Sequence, residues 1–544
     1  MGLRVIVLSG PVVGGKSNLA EALESQFGIR RVKTQDIIVE LTGVDRDRKA
    51  LQQAGEKLDR TTDGAWVARA LTRVVTGNDS TNLDSTHDSW VLVDAVRIPS
   101  QIEHIRRSFG LRVVHIHVTA PREELARRYE IRKASHPAMA ELPTYEEVAS
   151  NPTEAAVDQL QDLADLVINT LHSTREDVVV RVAAQLGLFG RGFDKLVDVL
   201  VGAEYGSEGK GQISAYLAPE YDVLVRVGGP NAGHRVYEEP QAMTYHHLPS
   251  GTNRNQNAHI VLGAGAVLRV SELLPEIYAA HVEAKRLSID PQAMIVTDED
   301  VEAERRLTAA IGSTGSGVGV ATARKVLREI AERPVTLAKD VAELQPYVRD
   351  TLAVLDRSFS RGHRVFLEGT QGTGLSLHHG SYPHVTSRDT TVAGCLSEAG
   401  IPPGRVRRAI MVCRTYPIRV ESPKGRTSGP MSRELKWQEI ANRSGIDLEE
   451  LLEAEKTSRT KKQRRIGEFD WTLIRRAASL NAPTDIALSF ADYFSIANRK
   501  ARRFEQLTPE TIYFISELER VTFAPVSLIA TRFRFRSVID RRAW

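Results

Sequence analysis

Three features of this sequence predict an α/β protein of two units, each built around a mostly parallel sheet. Apolar, β-branched runs alternate with helix-period patterns along most of the 544 residues. Twice an apolar strand pattern runs straight into a glycine-rich turn, first at Gly10 and again at Gly202. Between them, Phe189-Gly-Arg-Gly-Phe-Asp194 is polar and Gly-punctuated, the composition of a domain junction. The expected division is residues 1–188, a linker at 189–194 and a large unit at 195–544.

The elements follow in order. Arg4-Val-Ile-Val-Leu-Ser9, Trp90-Val-Leu-Val-Asp94 and Val113-Val-His-Ile-His-Val118 read as strands buried on both faces, because the apolar run is nearly unbroken. Residues 17–27, 57–75, 100–108 and 174–185 read as helices. A new strand at 196–202 opens the second unit.

Composition narrows the class. With 72 Lys+Arg against 69 Asp+Glu the net charge is +3, too small for the overall field to argue for a nucleic-acid partner. Two cysteines, Cys395 and Cys413, cannot build a disulfide framework or a four-thiolate metal site, and they fit a reducing cytosol. No apolar run approaches the ~18–20 residues that span a bilayer, and the start carries no secretory pattern. The expectation is a cytoplasmic enzyme with no membrane or nucleic-acid partner.

Gly10-Pro-Val-Val-Gly-Gly15-Lys16-Ser17 fits G-x-x-x-x-G-K-[ST] between a strand and a helix, which is the context the motif requires. Its backbone amides and the helix N-terminus suit phosphate oxygens. Lys16 would reach the β/γ-phosphates and the Ser17 hydroxyl would hold Mg²⁺. Asp94 ends an apolar strand where a carboxylate serves Mg²⁺-bound water, Arg97 follows it, and Asp36 sits after the second strand, where an acceptor is held. Arg127, Arg128 and Arg132 fall on successive helical turns, either a solvated charged face or a lid over the transferring phosphoryl group. Residues 1–188 resemble the small P-loop kinases of nucleoside monophosphates and dephospho-coenzyme A, with Asn18 where such kinases often carry a second hydroxyl.

The second loop, Gly202-Ala-Glu-Tyr-Gly-Ser207-Glu208-Gly-Lys210-Gly-Gln212, is followed by Arg226-Val-Gly-Gly-Pro-Asn231-Ala-Gly-His234 and Ile311-Gly-Ser313-Thr314-Gly-Ser-Gly-Val-Gly319. Leu367-Glu-Gly-Thr-Gln371 and Ser381-Tyr-Pro-His-Val-Thr386 come next. In this order the segments resemble the adenylosuccinate synthetase family over residues 196–544, nearest its compact archaeal and phage-type branch. The resemblance implies an α/β synthetase domain with a mostly parallel central sheet, joining L-aspartate to C6 of a purine nucleotide as a nucleoside triphosphate is cleaved. Lys210 and its loop would cradle the donor phosphates, His234 would act as general acid, and the Gly233 carbonyl would help hold Mg²⁺. Gln371 would hold the purine and its 6-oxygen. Asn231, Ser313, Thr314 and Thr386 would bind the acceptor nucleotide, and Arg328 matches an arginine supplied by the partner of a homodimer. Taken alone, Thr314 and Thr386 read as loop caps and His234 as a satisfied surface histidine; only their common register argues otherwise.

The sequence departs from this family in three places. Ser207 replaces the aspartate that removes the N1 proton, and a hydroxyl is no base near neutral pH. Phage enzymes of the family that make 2-aminoadenylosuccinate carry serine here and use dGMP. A smaller neutral group also makes room for the 2-amino group of guanine and can accept its hydrogen bond. GMP or dGMP is therefore the expected acceptor ahead of IMP, with an ordinary IMP-using synthetase as the alternative. At the donor base Asp492 is kept, but Phe490 replaces a lysine and Arg532-Phe533 replaces a Gly-Pro pair, which brings ATP or dATP in beside GTP. The aspartate loop reads Thr460-Lys-Lys-Gln-Arg464-Arg465, keeping Thr460, Arg464 and Arg465 as the dicarboxylate contacts. His378 stands where the usual family has a carboxylate. A nucleotide sensor in regulation or defence is the rival reading; Ser207 and Asn18 favour it, while Lys16, Lys210, His234 and Gln371 favour an enzyme.

Overall fold

The computed structural model describes residues 3–76, 90–135, 143–189, 194–237, 241–330, 333–457, 462–534 and 537–544. It divides into two units, Met1–Phe189 and Gly190–Trp544.

The first unit is a five-stranded sheet of β1 (Arg4–Ser9), β2 (Arg30–Val32), β3 (Trp90–Val93), β4 (Val113–Thr119) and β5 (Leu166–Asn169), in the order β2-β3-β1-β4-β5. Every pairing is parallel, so helices must return the chain and cover both faces. Ile37, Trp66, Leu71 and Ile102 bury one face, and Leu19, Leu23, Val178 and Val182 the other. The single helix expected at 57–75 is instead two, Arg48–Thr62 and Ala65–Thr76. Asp63 and Gly64 adopt φ of 49° and 74° between them, which ends the first helix. The break is tied down by Asp59, which accepts from Trp66 Nε1 at 2.7 Å and Gln101 Nε2 at 2.8 Å.

The second unit is a nine-stranded sheet. In chain order its strands are β6 (Val197–Gly202), β7 (Val223–Arg226), β8 (His259–Leu262), β9 (Leu287–Ile289) and β10 (Val365–Gly372). They continue with β11 (Val406–Arg414), β12 (Asp485–Ser489), β13 (Val526–Ala530) and β14 (Val538–Asp540). The spatial order is β9-β8-β7-β10-β6-β11-β12-β13-β14, and only β14 runs antiparallel to its neighbour. The motif residues Gly202, Arg226 and Gln371, together with Arg414 and Ser489, lie at the carboxyl ends of these strands, where open α/β sheets build their sites. A small antiparallel sheet, Ile418–Arg419 with Arg465–Gly467 and Glu434–Leu435, fixes the end of the basic loop beside that edge. Both cysteines are buried and unpaired. No helix among the described residues is long and apolar enough to cross a membrane.

One buried ionic node frames a motif loop. Asp300, fully buried, accepts from Arg324 at 2.6 Å and Arg333 at 2.9 Å and caps its own helix through the Thr297 amide at 3.0 Å. It joins helices Asp298–Ile311 and Val318–Leu327, the two that flank Ser313 and Thr314. Asp300→Ala strands two guanidinium groups and is expected to cost about 3–5 kcal/mol. The measurement is a lower urea midpoint for the C-terminal unit, with faster amide exchange over residues 297–330.

Candidate active site

In the first unit the glycine loop turns because its glycines leave no alternative. Gly10 has φ of 141°, and a Cβ there would sit 2.1 Å from the Val118 carbonyl oxygen. The loop delivers Lys16 to the start of helix Lys16–Phe27, where its Nζ donates to the Gly10 carbonyl and to that of Pro11 at 2.8 Å. Burial lowers Lys16 to about 8; Glu154 and Asp94 work against that and Arg97 adds to it, so these groups share one electrostatic site. Arg97 pairs with Glu154 at 2.5 Å. Ser17 is exposed at the helix start.

The other expected kinase residues are more committed than the sequence suggested. Asp94 accepts from Arg31 at 3.0 Å and from the Thr34 amide at 3.1 Å. Asp36 is paired with Arg46 at 2.9 Å. On helix Arg122–Ser135, Arg127 is held by Glu124 at 2.7 Å. Arg128 is held by Glu124 and by Thr170, whose hydroxyl and carbonyl lie at 2.8 and 3.0 Å. Arg132 is exposed one turn on. Beneath the loop, Ser9 Oγ bridges His115 Nε2 at 2.6 Å and His117 Nδ1 at 2.8 Å, a buried group that the sequence did not single out.

In the second unit the loop after β6 folds around a carboxylate. Glu208 accepts from the amides of Glu204 at 3.1 Å and Gly206 at 2.8 Å and forms a buried ion pair with Lys210. Ser207 stands exposed between them with φ of 57°. Gln371, at φ of 63°, lies against this loop: a Cβ on Gly206 would be 3.6 Å from its Cα. Gln371 Nε2 donates to Thr386 Oγ1 at 2.7 Å, and Asn231 Nδ2 donates to the same oxygen at 3.4 Å. Three sequence-distant motifs therefore meet at one hydroxyl. Gln371 Oε1 and Asn231 Oδ1 are buried with no hydrogen-bond partner among the described residues.

His234 lies over helix Lys210–Leu217; a Cβ on Gly211 would be 3.0 Å from the His234 Cβ. Its Nδ1 bonds to Glu368, a residue missed at the sequence level. Glu368 also takes Ser250 through hydroxyl and amide (the amide at 2.7 Å), Ser214 at 2.7 Å and Arg226 at 3.3 Å. Burial alone would raise this carboxyl, but His234, Arg226 and Ser250 hold it at about 2. Burial and the Arg226 charge lower His234 to about 4. The imidazole is thus neutral at neutral pH, its Nδ1–H given to Glu368 and its Nε2 left as an acceptor.

The Ser313–Thr314 loop reaches the same edge. Cβ atoms on Gly229 and Gly319 would lie 2.9 Å from a Val318 methyl and 3.7 Å from the Ser387 Cβ. Glu304, unnoticed in the sequence, accepts from the Gly317 amide at the helix start, and Gly319, Val318 and Ser313 also bond to it. Arg328 caps that helix with φ of 57° and is exposed.

On the far side, Arg414 is fully buried and donates to the Ser207 carbonyl at 3.1 Å and to Glu455 at 2.8 Å. Arg464 meets the same Glu455 at 3.2 Å. Arg465 is engaged in full, with Glu434 at 2.9 and 2.7 Å, Ser428 at 3.0 Å and the Gly429 carbonyl at 2.9 Å. Arg464 is therefore the better placed of the two for a dicarboxylate. Thr460 lies outside the described residues. Phe490 adopts φ of 57° and carries the Arg414 guanidinium 4.1 Å above its ring, the use found for the residue that replaces lysine. Asp492 accepts from Arg499 at 2.9 Å through one oxygen, and its other, Oδ1, is buried with no partner among the described residues. Burial pushes this carboxyl up to about 6 against the pull of Arg499. The His378 amide donates to Ser376 Oγ at 3.3 Å, and its ring meets that of His379 edge-on at 6.3 Å.

Comparisons with known proteins agree with this geometry. The adenylosuccinate synthetase family model matches residues 199–342 and 330–499, and an AAA domain model matches residues 5–166. Adenylosuccinate synthetase of Pyrococcus sp. strain ST700 is 34% identical over 357 residues, 63% of this chain and 98% of that enzyme. The enzyme of Methanocaldococcus jannaschii is 34% identical over 353 residues, 63% of this chain and 96% of that enzyme. Among solved structures, the succinoaminodeoxyadenylate synthetase of cyanophage S-2L, bound to dGMP and to dATP as energy donor, is 30% identical with a TM-score of 0.54, covering 64% of this chain and 96% of that one. The fully ligated Plasmodium falciparum adenylosuccinate synthetase shares the fold at 22% identity and a TM-score of 0.55, covering 64% of this chain and all of that one.

Proposed function

The chain belongs to the adenylosuccinate synthetase family, and on that basis we propose that its C-terminal ligase unit couples L-aspartate to C6 of a guanine-type nucleotide, GMP or dGMP, ahead of IMP. One observation carries the reading. Gln371 lies against the loop that carries the exposed Ser207, and its Oε1 is a buried acceptor with no partner among the described residues. A guanine brings N1–H and a 2-amino group to such acceptors, whereas hypoxanthine brings N1–H alone. A buried acceptor left unmet costs about 1–3 kcal/mol, so the extra donor favours guanine. The succinoaminodeoxyadenylate synthetase of the cyanophage, solved with dGMP, supports the same choice.

The residues then divide the work. The γ-phosphoryl group passes to the 6-oxygen with release of the nucleoside diphosphate, the N1 proton leaves to solvent past the exposed Ser207, and the aspartate amine then displaces phosphate and gives up its own proton. Lys210 and the loop amides bind the donor phosphates, His234 gives a proton as charge gathers on the phosphoryl oxygens, and Gln371 holds the base. Asn231, Ser313, Thr314 and Thr386 hold the acceptor, with Arg328 of a second copy completing the site in a homodimer. Arg464, steadied by Glu455, holds L-aspartate together with Thr460, and Arg465 must release part of its contact with Glu434 to join them. Asp492 Oδ1 suits the exocyclic N–H of adenine as well as those of guanine, so ATP or dATP stands beside GTP as donor.

Mg²⁺ fits the chemistry present: the Gly233 carbonyl in this unit and the Ser17 hydroxyl in the first are hard oxygen donors, and Mg²⁺ takes few protein ligands beside substrate phosphates. Bound there, it would neutralise phosphate charge. The first unit is a P-loop kinase-like domain, and we read it as phosphorylating a nucleoside monophosphate, with Lys16 on the donor and Asp36, Asp94 and Arg97 at the acceptor side. Both units would work in cytoplasmic purine nucleotide synthesis.

The experiment incubates the full chain with Mg²⁺, L-aspartate and ATP, dATP or GTP, offering IMP, GMP or dGMP, and follows mass. A succino-product from GMP or dGMP but not IMP is expected. Product from IMP alone overturns the acceptor assignment, and no product from any pairing overturns the ligase reading in favour of a sensor.

A further inference from the structure

The large sheet has a second concave site at its opposite edge, where β7, β8 and β10 begin. It is a cavity of about 620 Å³, bordered by Val223, His259 and His363 and far from the motif loops along the strands. This volume lies within the ~300–1,000 Å³ of small-molecule pockets.

Its lining is cationic. Arg349, Arg357 and Arg361 face it together with the two histidines. Of its two carboxylates, Glu220 is neutralised by Arg542 at 2.7 and 3.0 Å, while Asp222 accepts from the Arg364 backbone amide at 2.8 Å and keeps its charge, so three arginines face one uncompensated carboxylate. Among the described residues neither Arg349 nor Arg357 is ion-paired with a carboxylate. Arg349 instead donates to the carbonyls of Leu287 at 2.5 Å and Tyr347 at 3.3 Å, which fixes its guanidinium in place. Opposite, His259 Nε2 bonds to the buried Ser288 hydroxyl at 2.8 Å. His259 is lowered to about 4 by burial and then by Arg349, Arg286 and Arg357, so the positive field is felt across the cavity wall. Arg349 and Arg357, which line one cavity without a carboxylate partner among the described residues, suit an anion that takes several charge-assisted hydrogen bonds at once. Asn257, exposed on the rim, adds an amide for a polar appendage.

We propose that this cavity binds a polyanionic, phosphate-bearing small molecule, with Arg349, Arg357 and Arg361 as its phosphate contacts. The site is separate from the ligase reading, which depends on the other ends of the strands. Among the strands that connect the two places are β7, which runs from Val223 to Arg226, and β10, which runs from Val365 to Glu368 and Gln371.

The test measures binding of pyrophosphate and of ATP to the full chain by calorimetry, for the wild type and for Arg357→Ala/Arg361→Ala. Each lost arginine contact is expected to weaken this site by about tenfold or more. The double variant should therefore lose one binding site per chain while its ligase kcat, measured without pyrophosphate, stays unchanged. Arg357→Lys, which keeps the charge, should retain most of the binding. Loss with both probes supports recognition of the phosphates alone, and loss with ATP only supports a nucleotide. Identical isotherms for wild type and double variant with both probes overturn the site and leave the ligase assignment untouched.

Discussion

His234→Asn is expected to lower the ligase kcat by about 10²–10⁴-fold with little change in the KM for L-aspartate. Asparagine keeps a polar side chain of similar reach but cannot carry a proton to the phosphoryl oxygens. The five donors around Glu368 explain the size of the effect. They hold this carboxylate ionised and rigid, so the imidazole it orients is fixed over the Lys210 helix. With His234 held near 4, the proton it gives must arrive with the substrate. A triphosphate beside Nε2 favours imidazolium, so donor binding takes up a proton at neutral pH. The sign follows: between about 4 and the higher value in the complex, affinity for the donor falls as pH rises. Calorimetry in buffers of different ionisation enthalpy reads the uptake directly, and His234→Asn should abolish it. Full activity in His234→Asn would remove His234 from the mechanism, and Glu368→Gln should fall between the two because it disorders the ring without removing it.

The parts of this site that sequence reveals are those that local chain geometry must encode. Gly10, Lys16 and Ser17 are recognisable because a backbone that wraps phosphate needs glycine where φ is positive and a helix start directly after. The same holds for Gly202 to Lys210. Glu368 left no such signal, because what makes it important is its meeting with Arg226, His234 and Ser250, more than a hundred residues away. Arg414 and Glu455 are hidden for the same reason. Position also misleads where pairing decides: Arg464 and Arg465 are neighbours in a basic run, yet Glu434 engages one and Glu455 steadies the other. The break at Asp63-Gly64 was missed because the apolar period continues across it while the backbone does not.

Sequence also conceals how the anion cradles are satisfied within the chain. Lys210 is paired with Glu208, Lys16 leans on its own loop carbonyls, and Glu304 sits on the amides at the start of the Val318–Leu327 helix. A phosphate entering any of these places exchanges one set of charge-assisted bonds for another, so its net gain is smaller than the number of its contacts suggests.

Ser207→Asp is expected to move acceptor preference from guanine towards hypoxanthine, lowering the ratio of kcat/KM for GMP or dGMP over IMP by about 100-fold. The backbone can accept the change, since aspartate tolerates the left-handed φ of 57° found here. Two opposing effects decide the outcome. The carboxylate restores a group able to take the N1 proton, which helps both acceptors. It also fills the space beside Gln371 that a 2-amino group would enter and adds a second negative charge next to Glu208, and only the guanine acceptors suffer from the lost space. Ser207→Ala separates the terms: it keeps the room and removes the hydroxyl, so guanine acceptors should weaken by about tenfold while IMP is nearly unaffected. Rates with all three acceptors at saturating L-aspartate provide the measurement. A guanine preference that survives in Ser207→Asp would place the discrimination elsewhere, with the unpartnered Gln371 Oε1 as its remaining source.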